Sequence, residues 1–381
     1  MNRLNKRTRL FNKPVNIILI CLFMLIICIP FVQMKLRLIP ELKNVENRPL
    51  AQKPALALPV SFNGLVNFKS GYEKYFNDNF GLRNLLIRIN NYIDIKIFKT
   101  TAKERVVVGK KGWLYYNDPY DGKNLRDFIG QVNFTQGELS EIKKETKRLD
   151  NEFRKRGIRF IIVMAPGKHT VYPEYLPDFI LNQRSPVTRV DQLKEALSGL
   201  GVTYIDLRDC LLEAKTKYPH LLFFMTDTHW NLFGSFIAYM KLVPYLKTEN
   251  NANTFYSIQD FNIVEKKNNG LGDLALFSST YGMLSDTEVF LEPLKKQLMT
   301  ICLLDSYAQQ VIVKNNPDKT LPKLLMFRDS FGVALIPYLS ASFSECKYIR
   351  THTIDFNLVD REKPDIVILE FAERNAGILL P

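Results

Sequence analysis

The stretch KLLMFRDSFG, residues 323–332, determines the expected fold, because an apolar run gives way there to a helix-like stretch around a serine. We predict a buried strand over residues 323–329 and a helix from Phe331 to Leu339. Ser330 then falls at a sharp turn that exposes its hydroxyl and directs helix N–H groups towards it, where they could hold an oxyanion. A serine at such a turn is either a nucleophile or a helix-capping residue, and this pattern alone leaves both open.

Short apolar runs alternate with helical spacing on the N-terminal side of this stretch and beyond it. Further strands are predicted at residues 159–166 (RFIIVMAP), 202–207 (VTYIDL) and 365–371 (DIVILEF), and helices at residues 137–156, 187–200, 208–217 and 231–246. Continuously apolar strands alternating with helices are typical of a mainly parallel sheet covered on both faces. The sequence therefore predicts an α/β fold with its site beyond the carboxyl ends of the strands.

Length and composition place this pattern in an ordinary globular protein. The chain has 381 residues, of which 46% are hydrophobic and 24% are charged. This composition excludes a disordered chain, a collagen-like repeat and a disulfide-dense miniprotein. Length alone allows one or two domains, and the strand pattern favours one.

The positive charge is concentrated at the N-terminus. The formal net charge is +13, but five Lys and Arg residues and no acidic ones occupy the first 13 positions, so the other 368 residues carry +8. The uncharged run VNIILICLFMLIICIPFV, residues 15–32, follows at once. As a helix it would span ~27 Å, close to the hydrocarbon thickness of a bilayer. With no small-residue cleavage site just after it, an uncleaved anchor fits better than a signal peptide.

The anchor fixes the expected division of the chain. We predict a basic cytoplasmic flank (1–14), a transmembrane anchor (15–32), an extended proline-containing connector (33–70) and one folded domain (71–381). Within that domain, residues 106–116 (VVVGKKGWLYY) are a predicted hairpin, and residues 249–322, rich in Asn and Lys, are a predicted irregular insertion. Since the basic cluster would lie across the membrane from the folded domain, nucleic-acid binding is not expected.

A second reactive motif is MTDTHWN, residues 225–231. In extended backbone Asp227 and His229 project on the same side, because they are two residues apart. A carboxylate beside an imidazole fixes its tautomer and stabilises the imidazolium, as in a Ser-His-Asp triad. Equally, Asp227 could cap the following helix beside a buried histidine.

The two motifs strengthen each other, because both fall at predicted strand ends of one sheet. We therefore expect Asp227, His229 and Ser330 to meet there. No metal is expected at Asp227 and His229, since no further ligand cluster is evident and the other histidines are scattered.

The combination of DTHW, RDSFG and LEFAER (369–374) resembles the SGNH-like polysaccharide O-acetyltransferases, namely the alginate O-acetyltransferases of the AlgX/AlgJ type and the related DHHW-type bacterial proteins. The resemblance extends from about Glu46 to the C-terminus. It includes the blocks ENRPLAQKPAL (46–56), YFNDNFGLRNLLI (75–87), VVVGKKGWLYY (106–116), APGKHTVYPEYLP (165–177) and GDL (272–274).

Carried over position by position, the resemblance implies an SGNH-like (flavodoxin-like) fold with Ser330 as nucleophile and Asp227 and His229 as its Asp-x-His pair. Arg328 stands where ordinary SGNH hydrolases have the glycine of a Gly-Asp-Ser signature. Six further residues are expected to line the substrate or oxyanion site, with structural roles as the default for Trp230 and Tyr172: Arg328, Trp230, Asn231, Lys168, Tyr172 and Arg374.

The implied activity is O-acetylation of an exported polysaccharide through an acetyl-serine. The resemblance implies no bound cofactor, because a membrane-bound O-acyltransferase partner would supply acetyl groups drawn ultimately from acetyl-CoA. The catalytic domain would lie outside the cytoplasm, on a single-pass anchor. Two alternatives remain open: an extracellular glycan acetylesterase using the same triad with water, and a non-catalytic component of a polysaccharide assembly complex.

Overall fold

The computed structural model describes residues 13–40, 49–55, 62–101, 105–117, 123–251, 254–294, 301–303, 310–314 and 318–380. The predicted basic flank, residues 1–14, lies almost wholly outside the described residues. The chain divides into two compact units, Met1–Asp94 and Ile95–Pro381.

Three helices make up the described part of the first unit: α1 (Lys13–Leu36), α2 (Phe62–Asn79) and α3 (Arg83–Ile93). The stretch Pro14–Leu36 has a mean hydropathy of 3.0 and is long and apolar enough to cross a membrane. It contains the whole of the predicted anchor, residues 15–32.

The predicted connector is wrong over its last part. Helix α2 begins at Phe62, so residues 62–70 are helical and not extended. The physical reason is that the helix-breaking prolines of the connector end at Pro59, and nothing after it prevents a helix. The other boundaries between flank, anchor, connector and domain stay predictions.

The second unit is an α/β structure. Its strands are β1 (Val106–Val108), β2 (Leu114–Tyr116), β3 (Arg159–Ala165), β4 (Thr203–Asp206), β5 (Phe261–Asn268), β6 (Asp286–Pro293), β7 (Ile301–Leu303), β8 (Gln310–Lys314), β9 (Lys323–Arg328), β10 (Glu345–Arg350) and β11 (Ile366–Ala372). Its helices are α4 (Lys123–Phe128), α5 (Gln136–Lys155), α6 (Lys168–Val171), α7 (Asp178–Leu181), α8 (Arg189–Leu197), α9 (Arg208–Lys217), α10 (Leu232–Leu246), α11 (Asp273–Phe277), α12 (Ile336–Leu339) and α13 (Phe356–Glu362).

Seven strands form the central sheet in the order β4-β3-β11-β9-β10-β8-β7. The first five run parallel to one another, and β8 and β7 complete one edge in antiparallel pairing. Alternate residues of β3 enter opposite cores: Ile161 and Val163 pack on the side of α9 and α10, whereas Phe160 and Ile162 pack on the side of α5, α8 and α13. The predicted α/β fold, a mainly parallel sheet with helices on both faces, is confirmed.

The predicted hairpin at residues 106–116 is confirmed as the antiparallel pair β1–β2. The predicted irregular insertion at residues 249–322 is wrong, because it contains the β5–β6 hairpin and the two strands β7 and β8 of the central sheet. Strand β5 has an exposed, Lys- and Asn-containing face, which hides its strand pattern in the sequence. The predicted helix after Ser330 is a 3-10 turn, Phe331–Leu335, followed by α12.

The loop of residues 222–231, here called the Asp-His loop, is closed at its base by Asn231. The backbone N–H of Asn231 donates to the carbonyl of Leu222 at 2.9 Å, and its side-chain amide donates to that of Leu221 at 2.6 Å. The Asn231 Oδ1 also accepts from the N–H of Gly234 at 2.9 Å, which caps α10. One asparagine thus joins the loop to the helix that follows it.

Because Gly234 has no side chain, the start of α10 can lie against the carbonyl of Leu222. Replacing Gly234 tests whether this close packing is required. A Cβ built on Gly234 would lie 2.1 Å from the Leu222 carbonyl oxygen, whereas one on Gly137 in α5 would meet only Thr135 Oγ1 at 3.9 Å. We expect Gly234→Ala to lower the free energy of unfolding by roughly 1–3 kcal/mol, as overpacking does. The matched Gly137→Ala should be neutral or stabilising by up to ~1 kcal/mol. Equal shifts of the two variants in thermal and denaturant unfolding would contradict this account.

Candidate active site

The structure brings the three predicted catalytic residues into one hydrogen-bonded chain. Nε2 of His229 lies 2.7 Å from Oγ of Ser330, although the two residues are 101 positions apart. Nδ1 of His229 lies 2.7 Å from Oδ1 of Asp227. Ser330 follows the carboxyl end of β9, and the Asp-His loop reaches it from the chain segment before α10. The arrangement is that of a nucleophile, a base and an orienting carboxylate.

Asp227 fixes the tautomer of the imidazole. Its Oδ1 accepts from the backbone N–H of His229 at 2.9 Å as well as facing Nδ1, so Nδ1 carries the hydrogen. The lone pair of Nε2 then faces the Ser330 hydroxyl. The imidazole is thereby oriented to accept the serine proton.

Asp227 is held as a carboxylate. Burial by itself would raise its pKa, but the hydrogen bonds and charge of His229 and the N–H of Asp273 outweigh burial and lower the pKa to about 2. The N–H of Asp273 donates to Asp227 Oδ2 at 2.9 Å. A carboxylate that stays ionised stabilises the imidazolium throughout a proton transfer.

Asp273 is a second carboxylate beside His229 that the sequence interpretation missed. Its Oδ2 lies 3.9 Å from His229 Nδ1, and its Oδ1 accepts from the N–H and hydroxyl of Thr228 at 2.7 and 3.1 Å. Burial and the charge of Asp227 raise its pKa. The only sequence signal was the GDL block, residues 272–274, to which no site role was given.

The expectation that no further ligand accompanies Asp227 and His229 is wrong, because Asp273 lies with them. One ligand atom from each of the three residues falls within 4.8 Å of the others. A metal ion bound there through Nδ1 of His229 would have to displace the hydrogen bond to Asp227. The absence of a metal at this site stays a prediction.

Lys168 is buried below the Asp-His loop and holds it from inside. Its Nζ donates to the carbonyls of Phe224, Met225 and Asp227 at 3.0, 3.1 and 2.6 Å. The ammonium also lies 5.6 Å from the ring of Trp113. Burial lowers the pKa of Lys168 to about 8. Lys168 therefore holds the backbone of the loop, and it is also one of the residues that line the cleft beside the triad.

Asp286, at the start of β6, holds the same loop through its amides. Its carboxylate accepts from the N–H of Met225 at 2.9 Å, and from the N–H and hydroxyl of Thr226 at 2.8 and 2.5 Å. Three carbonyls of the loop thus face a buried cation, and three of its N–H groups face Asp286 and Asp273. The sequence interpretation gave Asp286 no role.

Three predicted lining residues are buried structural residues. Trp230 is 1% exposed and donates from Nε1 to the carbonyl of Phe331 at 3.2 Å. The hydroxyl of Tyr172 accepts from the N–H of Leu222 at 3.0 Å. Asn231 closes the loop as described above. For Trp230 and Tyr172 this agrees with the structural roles expected from the sequence. Asn231 was expected to line the site, but its burial argues against contact with a substrate.

Arg328 is also buried, at the end of β9, so its prediction as a lining residue is wrong. Its guanidinium donates to the carbonyl of Asp329 at 2.9 Å. The neighbouring Glu370 is fully buried, which raises its pKa well above the usual range. Glu370 accepts from the N–H of Asp329 at 3.1 Å. The two residues form a floor under the turn that carries Ser330.

Asp329 fastens this turn to the end of β11. Its Oδ2 accepts from the N–H of Ala372 at 2.7 Å and from the Asn375 amide at 3.0 Å. Its Oδ1 accepts from the N–H of Phe331 at 2.8 Å. The first N–H group after Ser330 is therefore engaged by Asp329, which removes it from the predicted set of oxyanion donors.

A cleft adjoins the triad, and Arg374 lies in it as predicted. The cleft encloses a cavity of about 20 Å³ and is lined by the carboxyl ends of β3 and β11 together with Tyr116, Thr228 and Phe331. The guanidinium of Arg374 lies 5.6 Å from the rings of both Tyr116 and Phe331. Arg374 is thus a cation beside the residue that follows the nucleophile.

Part of the chain is similar to a described protein family. Residues 106–282 match the family model described as the SGNH hydrolase-like domain of acetyltransferase AlgX. The match contains Asp227, His229 and Asp273 and ends before Ser330.

Two curated relatives carry the name probable alginate O-acetylase AlgJ. The one from Pseudomonas aeruginosa is 24% identical over 172 residues, which is 43% of this chain and 38% of the relative. The one from Pseudomonas syringae pv. tomato is 25% identical over 172 residues, 45% of this chain and 40% of the relative. The alignments thus span less than half the length of either relative.

Among solved structures, PatB1 from Bacillus cereus aligns with a TM-score of 0.53 at 16% identity, over 72% of this chain and 99% of PatB1. At this identity the likeness shows a shared fold. The resemblance to the polysaccharide O-acetyltransferases is confirmed as a similarity: residues 106–282 of this chain match the model of the AlgX SGNH hydrolase-like domain.

Proposed function

We propose that this protein is a membrane-anchored, serine-dependent O-acetyltransferase that acetylates hydroxyl groups of an exported polysaccharide. The observation that carries the proposal is the continuous chain from Asp227 through His229 to Ser330, with both links at 2.7 Å. The AlgX-type domain and the AlgJ-named relatives support acyl transfer to a polysaccharide as the reaction class.

In the first half-reaction Ser330 takes the acetyl group. His229 Nε2 accepts the proton of the Ser330 hydroxyl while Oγ attacks the carbonyl carbon of an acetyl donor. The bond from that carbon to the donor's leaving group then breaks, and the leaving group takes the proton from Nε2. The product is an acetyl ester on Oγ and a neutral His229.

In the second half-reaction a sugar hydroxyl replaces the donor. Nε2 accepts the proton of that hydroxyl, whose oxygen attacks the acetyl carbon. The ester bond to Oγ breaks, and Oγ recovers its proton from the imidazolium. Asp227 holds the imidazole in one orientation and balances its charge in both halves. The side chain of His229 is 28% exposed, which leaves room for a polymer hydroxyl to reach Nε2.

The acetyl donor belongs to the proposal as well. Cytoplasmic acetyl-CoA cannot reach a domain outside the membrane, so a membrane-bound O-acyltransferase partner would carry the acetyl group across and deliver it to Ser330. The apolar helix Pro14–Leu36 supports an anchor that would hold the domain near such a partner. The domain itself would lie outside the cytoplasm and need no bound cofactor.

The acetyl-serine can be detected directly. We expect p-nitrophenyl acetate to add one acetyl group to the intact protein, located on Ser330 by peptide mass spectrometry. Ser330→Ala should abolish the adduct, and Ser330→Ala and His229→Ala should each lower turnover on the order of 10⁴-fold. Unchanged turnover in Ser330→Ala would exclude the serine mechanism.

Transfer is distinguished from hydrolysis by an acceptor. When an oligosaccharide is added to the acetylated protein, we expect acetyl ester on the sugar to exceed free acetate. If Ser330 becomes acetylated but all of the acetyl groups it releases appear as free acetate, the protein is an esterase. The Ser330→Ala protein controls for acetylation of the sugar by the ester alone.

The two carboxylates beside His229 are separable by a matched pair of variants. Asp227→Asn leaves one acceptor oxygen for the three groups that now donate to Asp227, and an NH2 group placed opposite Nδ1 reverses the tautomer preference, so activity should fall on the order of 10⁴-fold. Asp273→Asn keeps an oxygen for Thr228 and removes only a charge 3.9 Å from Nδ1, so we expect a loss of about tenfold.

The pH profile separates the two roles further. Because the pKa of Asp227 is about 2 and that of Asp273 is raised, Asp273 is the carboxylate that protonates first as the pH falls. In Asp273→Asn the imidazolium has lost one neighbouring negative charge at every pH. The acid limb of kcat/KM should therefore move to lower pH. Equal losses for the two variants with unshifted pH profiles would contradict the assignment.

A further inference from the structure

Helix α3 exposes its apolar face and turns a polar one inwards. Leu85, Leu86, Ile89 and Ile93 are 37–45% exposed, whereas Asn91 is 6% exposed. At 3.6 residues per turn the four aliphatic side chains fall within an arc of ~100°, with Asn91 on the opposite side. A soluble helix of a globular protein has the reverse arrangement. The exposed stripe therefore indicates a contact with an apolar phase.

The end of α2 and the turn between α2 and α3 lie against the apolar helix α1 within the first unit. A Cβ built on Gly81 would lie 2.0 Å from the carbonyl oxygen of Pro30, so the two backbones are in contact there. The rings of Phe31 and Phe76 lie 5.7 Å apart. Pro30 lies two residues before the end of the uncharged run at Val32 and six residues before the end of the helix at Leu36, which corresponds to ~3–9 Å along the helix axis. This depth overlaps the ~5–10 Å to which interfacial helices bury their apolar face.

An apolar cavity of about 190 Å³ lies where the end of α1 meets the start of α3. Its aliphatic and aromatic lining is Ile39, Pro40, Leu50, Phe80, Leu82 and Leu85. Leu85 is also the first residue of the exposed stripe on α3. The cavity thus continues the apolar surface from the end of the membrane span onto the helix.

Basic side chains border the apolar stripe. Arg88 falls ~60° outside the aliphatic arc on one side, and Lys35 and Arg37 stand at the end of α1. Interfacial helices carry Lys and Arg beside their apolar face, where these side chains meet lipid headgroups.

We propose that α3 is an interfacial helix that lies in the surface of the bilayer crossed by α1, with Leu85, Leu86, Ile89 and Ile93 among the lipid chains. The occupant of the exposed stripe is lipid. This surface would hold the described helices of the first unit at the membrane. The inference does not depend on the proposed catalytic function, since it rests on α1 and α3 alone.

A tryptophan placed on the stripe reports the phase around it. The chain has two Trp residues, Trp113 and Trp230, which are 2% and 1% exposed and give a nearly constant background. We would reconstitute the full chain with Ile89→Trp, and separately Leu86→Trp, in phosphatidylcholine vesicles with brominated acyl chains. The added fluorescence of each variant should fall by about half, as expected for an indole at the acyl boundary.

The matched control is Glu141→Trp, at an exposed position of α5. Its added fluorescence should be unaffected by brominated lipid and quenched by aqueous iodide. If the indole introduced by Ile89→Trp behaves like this control, α3 faces water and the proposal fails. If neither quencher reaches it, a second copy of the chain or another protein covers the stripe, which also overturns the lipid assignment. Both results are independent of any loss of acetyl transfer.

Discussion

The carboxylate of Asp227 is the contact on which the rest of the site depends. It accepts from the backbone N–H and Nδ1 of His229 and from the N–H of Asp273, so it joins the base to its own loop and to α11 at once. The loop has no helix or extended strand of its own, and its shape is imposed by buried charges. Lys168 donates hydrogen bonds to carbonyls of the loop, and Asp286 and Asp273 accept hydrogen bonds from its N–H groups. Such a loop keeps its geometry only while every partner is present.

This explains why the site draws on distant parts of the chain. Lys168 follows β3, Asp273 and Asp286 come from the segment between α10 and β7, and the turn of Ser330 is tied by Asp329 to the end of β11. Carboxyl ends of parallel strands converge on one edge of a sheet, so residues far apart in sequence meet there. The buried side chains of Arg328 and Glu370 add two polar groups beneath the turn that carries the nucleophile.

The central parallel strands and the triad could be predicted because their signals are local: continuous apolar runs, and reactive residues just after them. Asp273 and Asp286 could not be predicted from residue type alone, because acidic residues in a Lys- and Asn-rich segment look like solvated surface. Strand β10 was hidden by Lys347, whose charge is paired with Glu362 at 2.8 Å. Arg328 and Asn231 lie near the site, but burial gives them backbone partners instead of a substrate. Lys168 has backbone partners and lines the cleft as well. Only the packed structure distinguishes these two roles.

The position of β11 in the sheet has a consequence for the order of folding. It is the last strand in chain order, yet it lies between β3 and β9 and touches both. Before β11 pairs, the sheet exists as two separate strand pairs, β3 with β4 and β9 with β10. The edges of β3 and β9 that face each other then have no neighbouring strand. Closing the gap requires contacts across about 200 residues, which makes folding slow. The two halves of the sheet therefore stay unjoined until the residues of β11 are free to pair with both β3 and β9.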